Sequence, residues 1–158
     1  MNGLGFCSEM SPQYVKINSR VSPELTYIEE LNKVMHRKYV GIGALLLLLG
    51  VAIGAFGAHA LEKVLGVHAS TYETGVHYHM IHAIGIVLIA LAAGQWGESA
   101  KLKWAARLMV IGIVLFSGSL YVLSITGIKN LGVITPFGGA AFIAGWLLLA
   151  LEAFNNKK

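Results

Sequence analysis

Four long apolar runs alternate with short polar connections along most of the chain. The runs cover about residues 39–60, 76–93, 105–125 and 134–154, and each is long enough to cross a bilayer as a helix. In hydrocarbon a helix satisfies its own backbone polar groups, whereas an open strand does not. The connections are too short to form a separate domain. The pattern therefore predicts an all-α fold, an integral membrane bundle of four transmembrane helices, with residues 36–158 as one domain.

The composition supports a membrane protein rather than a water-soluble one. Of the 158 residues, 56% are hydrophobic and 13% are charged. A typical soluble domain carries about 25% charged residues. The single cysteine, Cys7, leaves no internal disulfide and no thiolate metal cluster.

Basic residues concentrate on one side of the predicted bundle. They precede the first run, separate the second from the third, and follow the fourth: Lys33, Arg37, Lys38, Lys101, Lys103, Arg107, Lys157 and Lys158. The other two connections hold only Lys63 and Lys129. The positive-inside rule then predicts that both the N and C termini are cytoplasmic. The net charge of +4 is expected to face anionic lipid headgroups, and no nucleic-acid partner is expected.

Residues 1–35 form a polar N-terminal extension without the apolar stretch of a signal peptide. Ser22-Pro23-Glu24 has the order of a helix N-cap, a first-turn proline and an early acid. Apolar residues then recur at helical spacing, so a short amphipathic helix on the cytoplasmic surface is one alternative and disorder is the other. A third alternative is that translation begins at Met35, so that residues 1–34 do not belong to the native protein.

Small residues in the apolar runs indicate close helix packing. Gly50 and Gly54 form a GxxxG motif, whose expected use is packing within the bundle. Trp146 lies about 15 Å into the fourth run, near the membrane midplane. Its indole is expected to find a polar partner or to lie against the third span.

Polar side chains within the spans concentrate at the outer end, away from the basic residues. At 100° per residue, Tyr72, His79 and His82 share one narrow face of the second span, and Ser117, Tyr121 and Ser124 form a stripe on the third. The predicted ligand-binding residues at this outer face are His59, Glu62, Tyr72, His79, His82, Ser117, Tyr121 and Thr135.

Ionisable residues within a membrane span suggest a functional site, because they are costly to bury without a partner or a wet cavity. His79 and His82, with His59 at similar depth, are also candidate metal ligands. The alternative is that neutral histidines bond to a neighbouring helix and hold the bundle together. No motif typical of a nucleophile, a dinucleotide site or a metalloprotease occurs, so no catalytic residue and no cofactor are assigned.

Four segments carry a family resemblance: GAFGAHALE (54–62), YETGVHYHMIHAIGI (72–86), LFSGSLYVLSITG (115–127) and TPFGGAAFIAGW (135–146). In them the chain resembles the YgdD/YwdK-type family of small bacterial membrane proteins, domain of unknown function family 423. The resemblance implies a multi-pass protein of the bacterial plasma (inner) membrane with no established activity. The matching motif residues are His59, Glu62, Tyr72, His79, His82, Ser117, Ser119, Tyr121, Thr135, Pro136 and Trp146. Residues 1–35 depart from the family pattern, which begins almost directly with the first span.

Three functions are compatible with this pattern. The favoured one is a membrane binding or accessory protein with a polar His/Tyr/Ser site at the outer face, surrounded by lipid and assembled as a homo-oligomer or in a membrane complex. The second is a small transporter or proton-coupled carrier acting as an oligomer, which needs a polar path through the inner half. The third is a membrane enzyme that binds metal or haem, and it is less favoured than a protein without enzymatic activity.

Overall fold

The computed structural model describes residues 23–155, with side chains from residue 36 onward. Six α-helices occur in this range: α1 (Pro23–His59), α2 (Glu62–Leu65), α3 (Ala69–Trp96), α4 (Ala100–Gly112), α5 (Gly118–Thr126) and α6 (Thr135–Asn155). A π-helical segment, Ile113–Ser117, joins α4 to α5 without a break. Two short 3-10 turns, Gly66–His68 and Lys129–Val133, complete the connections.

Four helical segments are long and apolar enough to cross a membrane, and the predicted four-span all-α fold is confirmed. They are His36–His59, Glu62–Trp96, Ala100–Thr126 and Lys129–Asn155. No strand occurs among residues 23–155. The chain is therefore an integral, multi-pass membrane protein.

Helix α1 is longer than the first apolar run. It begins at Pro23, where the Ser22-Pro23-Glu24 motif predicts a start, and it continues for 37 residues to His59. At the usual rise per residue this is about 55 Å, more than a bilayer core requires. The segment predicted as a separate amphipathic helix is thus continuous with the first span. The predictions for residues 1–22 lie outside the described residues.

Helix α3 is the centre of the bundle. Helix α1 packs against it, α4, the π-helical segment and α5 also contact it, and α6 packs mainly against α4 and the π-helical segment. The buried apolar core comprises Ala83, Ile86, Ile89, Leu102, Ala105, Ala106, Met109, Ile113 and Phe142. Most of α1 therefore has a single helical neighbour, and many of its apolar side chains are exposed.

Glycines let the helices approach closely because a side chain from a neighbouring element occupies the space of a Cβ atom. At five of them the facing residue is aromatic, and an added Cβ would lie 3.2 Å or less from it. The pairs are Gly57 with Tyr72, Gly75 with Tyr121, Gly85 with Trp146, Gly112 with Phe142, and Gly138 with Phe116. The ring of Trp146 thus lies beside Gly85 of α3, in the second span.

The GxxxG motif of α1 also serves packing within the bundle, as its sequence predicts. A Cβ on Gly50 would lie 2.6 Å from Met80 Sδ, and one on Gly54 would lie 3.1 Å from a methyl group of Val76. Both partners belong to α3. The motif therefore brings the first two spans together.

Ion pairs fix the end of the bundle where the basic residues lie, which we call the basic end. Lys101 Nζ lies 3.2 Å from Glu152 Oε2 and joins α4 to α6. Lys103 Nζ lies 2.8 Å from Glu98 Oε2 and holds the connection before α4. Ser99 Oγ caps α4 by accepting a first-turn backbone N–H at 3.2 Å. We call the other end, with residues 60–68 and 127–134, the opposite end.

Candidate ligand-binding site

The predicted polar face of α3 is buried in the bundle. Tyr72 is 4% exposed, His79 4% and His82 5%. On the third span Ser117 and Ser124 are buried and Tyr121 is half-buried, as a stripe at helical spacing predicts. We call this region the polar seam, formed by Tyr72, His79, Ser117, Tyr121 and Ser124.

A chain of contacts in the polar seam links three helices. His79 Nδ1 lies 3.2 Å from the hydroxyl oxygen of Tyr121 on α5. The rings of Tyr121 and Tyr72 have centroids 5.2 Å apart. Tyr72 then donates its hydroxyl to the backbone carbonyl of Ile53 on α1 at 2.9 Å. The seam therefore contributes to holding α1, α3 and α5 together.

Three polar atoms of the seam are buried without a hydrogen-bond partner among the described residues. They are His79 Nε2, Ser117 Oγ and Ser124 Oγ. The backbone of Leu46 on α1 lies close enough to the imidazole of His79 to interact with it electrostatically, but not in hydrogen-bond geometry. Buried polar groups without partners are costly, so helix packing alone does not use the full bonding capacity of the seam.

His82 contacts a different helix from His79. Its Nδ1 donates to the carbonyl of Tyr78 one turn earlier at 2.7 Å, because a carbonyl can only accept. Its ring stacks on Phe142 of α6, and the ring of Trp146 lies 6.1 Å away. The two histidines proposed as joint metal ligands thus face different neighbours.

The structure does not bring the three candidate metal ligands together. His59 is exposed at the end of α1, whereas His79 and His82 are buried. Within residues 36–155, no group of three or more His, Cys, Asp or Glu side chains is arranged to hold a metal ion.

Thr135 joins the third span to the fourth. Its Oγ1 lies 2.8 Å from the hydroxyl of Ser119 on α5. Ser119 donates to the carbonyl of Phe116 at 2.9 Å, so it accepts the hydrogen of Thr135. This hydroxyl pair positions the start of α6 beside the π-helical segment. Within residues 36–155, neither hydroxyl is hydrogen-bonded to a histidine.

An open groove of about 570 Å³ lies at the opposite end, between the end of α1, α2 and the first half of α3. Its lining residues are Gly54, Gly57, Ala58, Glu62, Leu65, Ala69, Tyr72, Glu73, Val76, His77 and Met80. The volume is in the range of about 300–1,000 Å³ typical of small-molecule sites. Of the predicted site residues, only Glu62 and Tyr72 line it. Glu73 and His77 were not predicted as site residues.

The polar seam ends before the basic end. The residues beyond it are the apolar core, where Ile86, Ile89 and Met109 are 1% exposed or less. Phe142 and Ile113 are buried in the same cluster. In the described part of one copy, polar side chains therefore form no continuous path across the bundle, which the carrier alternative requires.

The comparisons with known proteins agree on one family. Residues 53–139 match the family model described as a protein of unknown function, DUF423. A UPF0382 membrane protein of Bacillus subtilis, YwdK, is 47% identical over 116 residues, 73% of this chain and 94% of that protein. One from Staphylococcus haemolyticus is 44% identical over 118 residues, 74% of this chain and 95% of that protein.

A more distant relative is the UPF0382 inner membrane protein YgdD of Escherichia coli. It is 39% identical over 109 residues, which are 68% of this chain and 82% of that protein. No solved structure matches the chain. The matched range 53–139 includes every residue of the polar seam and of the groove lining.

Proposed function

This chain belongs to the DUF423 family of membrane proteins, and from this premise we propose that it is a binding or accessory protein that holds a membrane amphiphile. The observation that carries the proposal is the groove between α1 and α3. Its site residues are Glu62, Tyr72, Glu73 and His77. The groove lies between two membrane spans, so the surrounding bilayer supplies the ligand.

The lining of the groove changes from polar to apolar along α3, as a binding site for an amphiphile requires. Along α3 the lining changes from Glu73 through Val76 and His77 to Met80. Glu73 and Met80 are seven residues apart, about 10 Å along the helix axis. A headgroup beside Glu73 would therefore place the start of an acyl chain beside Met80.

The proposal also specifies which leaflet the groove faces and what surrounds the bundle. With the basic end in the cytoplasm, as the positive-inside rule favours, the groove takes its ligand from the outer leaflet. The exposed apolar residues of α1, among them Leu45, Leu48 and Val51, contact lipid or a neighbouring membrane protein. A homo-oligomer or a larger membrane complex is compatible with this exposed surface.

A matched pair of variants on α1 tests the proposal. Ala58 lines the groove and is exposed, so A58L fills the space without disturbing the core. Ala55 is exposed on the same helix but does not line the groove, so A55L is the control. Each protein is purified in mild detergent, and the bound lipid is extracted and measured by mass spectrometry.

We expect lipid to co-purify with the wild type and with A55L and to be reduced severalfold in A58L. The proposal is overturned if no lipid is retained by the wild type, or if A58L retains as much as A55L. The melting temperature of each variant shows whether a loss of lipid reflects a loss of folding.

A further inference from the structure

We infer that the amphiphile in the groove carries an ammonium headgroup, held by the carboxylates of Glu62 and Glu73. This inference rests on the proposed function and adds the chemical class of the ligand. It follows from the distribution of charge over the groove and over the rest of the bundle.

The acidic residues of the bundle fall into two pairs with different surroundings. Residues 36–155 contain four glutamates and no aspartate. Glu98 and Glu152 form ion pairs with lysines at the basic end. Glu62 and Glu73 both line the groove, and neither forms an ion pair within the described part of the chain. Both carboxylates that lack an ion pair within residues 36–155 therefore lie in the groove.

The charge of the groove is opposite to that of the chain. The whole sequence has a formal net charge of +4, yet the lining holds two carboxylates and neither lysine nor arginine. The lining also includes one histidine, His77. A cationic headgroup would be attracted to the lining, whereas an anionic headgroup without a counter-ion would be repelled.

The two carboxylates approach the groove from different elements. Glu62 is the first residue of α2, and Glu73 lies in the second turn of α3. A headgroup between them would be held from two sides, with the ring of Tyr72 also in the lining. An aromatic ring near an ammonium adds a favourable cation–π interaction. Val76, Met80 and Leu65 supply the apolar contacts that an acyl chain needs.

The test compares two lipids that share acyl chains and differ in headgroup charge. Delipidated full-length protein is titrated with phosphatidylethanolamine or with phosphatidylglycerol, and occupancy is followed by native mass spectrometry. The variants are E62Q/E73Q, which removes both charges with little change of shape, and E152Q, which removes a carboxylate at the basic end. Glycerophosphoethanolamine, which has the same headgroup without acyl chains, is a third probe.

We expect the wild type and E152Q to prefer phosphatidylethanolamine by about tenfold, the order expected for two exposed carboxylates that act together. E62Q/E73Q should bind both lipids with similar affinity. Equal binding of the two lipids by the wild type overturns the inference, and so does an unchanged preference in E62Q/E73Q. If glycerophosphoethanolamine binds as tightly as the lipid, the ligand is a soluble ammonium compound and the lipid assignment is wrong.

The outcomes separate this inference from the proposed function. Suppose that the wild type retains lipid, that A58L loses it, and that the wild type shows no headgroup preference. The groove is then still a lipid site, and only the ammonium assignment is overturned. Failure of the wild type to bind either lipid overturns both.

Discussion

The imidazole of His82 lies nearly parallel to the ring of Phe142, with centroids 3.4 Å apart and an interplanar angle of 14°. The contact joins α3 to α6 in the apolar core, where Phe142 is 3% exposed. Tyr78 and Phe116 extend the same aromatic cluster, with ring centroids 4.5 Å apart. His82 thus serves the packing of the bundle, and the groove is formed without it.

The loss of stability on substituting His82 should depend on whether the new side chain keeps a ring, and much less on its polarity. H82F keeps the stacked ring and loses one hydrogen bond, so we expect a destabilisation of about 1 kcal/mol or less. H82A removes the ring from a packed site, so we expect a loss of about 3 kcal/mol. Unfolding in detergent, followed by circular dichroism, measures both. Equal damage from H82F and H82A would show that the imidazole has a role beyond packing.

Two adjacent glycines of α6 should respond very differently to alanine. A Cβ on Gly138 would collide with the backbone nitrogen of Phe116 and lie 2.8 Å from its Cα, and backbone cannot move aside easily. A Cβ on Gly139 would have its nearest neighbour, the Phe116 ring, at 3.8 Å. We expect G138A to destabilise the protein by about 1–3 kcal/mol and G139A to have little effect. Thermal unfolding of the pair checks this, and similar melting temperatures would contradict it.

The hydroxyl of Tyr121 should contribute measurably to stability. Y121F removes the polar partner of His79 Nδ1, for an expected loss of about 0.6–1.7 kcal/mol. Y78F is the control, since the Tyr78 hydroxyl forms no hydrogen bond within the described part of the chain and its ring contacts are kept. Denaturation in mixed detergent micelles compares the two, and a larger effect of Y78F would count against the seam.

The Glu98–Lys103 ion pair should show strong coupling. The Glu98 side chain is 8% exposed, and its Oε1 atom is buried without a hydrogen-bond partner among residues 36–155. K103M leaves this carboxylate without its cation, and we expect a loss of about 1–3 kcal/mol. E98Q/K103M removes the charge as well and should recover part of that loss. A double-mutant cycle measures the coupling, and simple additivity of the single variants would show that the pair is not coupled.

The orientation of the bundle can be tested by cysteine labelling. In a C7S background, N130C places a thiol at the opposite end and A100C places one at the basic end, both at exposed positions. If the basic end is cytoplasmic, a membrane-impermeant maleimide should label N130C on intact cells and A100C only after permeabilisation. The reverse pattern would contradict the orientation and move the groove to the inner leaflet.

The spans and the buried face of α3 follow from the sequence because the bilayer imposes simple rules. Hydrocarbon requires long apolar helices, and the 100° rotation per residue places Tyr72, His79 and His82 on one side. The π-helical segment was not predicted. Its residues, IVLFS, have no distinctive composition, and the segment lies where the backbone of Phe116 approaches Gly138.

Much of the candidate site could not be predicted, since a groove depends on the distance between helices. Glu73 and His77 face away from the buried side of α3, and only the positions of α1 and α2 turn that surface into a groove. Likewise the i, i+3 spacing of His79 and His82 does not indicate that one contacts α5 and the other α6. These contacts depend on the neighbours that each helix acquires.

The glycine pairs also divide the packing of the bundle between two helical hairpins. In the first hairpin, the side chains of Tyr72 and Met80 on α3 occupy the space beside glycines of α1. These contacts involve no residue of the third or fourth span. In the second hairpin, Phe142 packs against Gly112 and Phe116 packs against Gly138. Tyr121 and Trp146 contact α3 and join the two hairpins. Each hairpin thus has glycine contacts of its own, and the bond between Tyr121 and His79 forms only where the two hairpins meet.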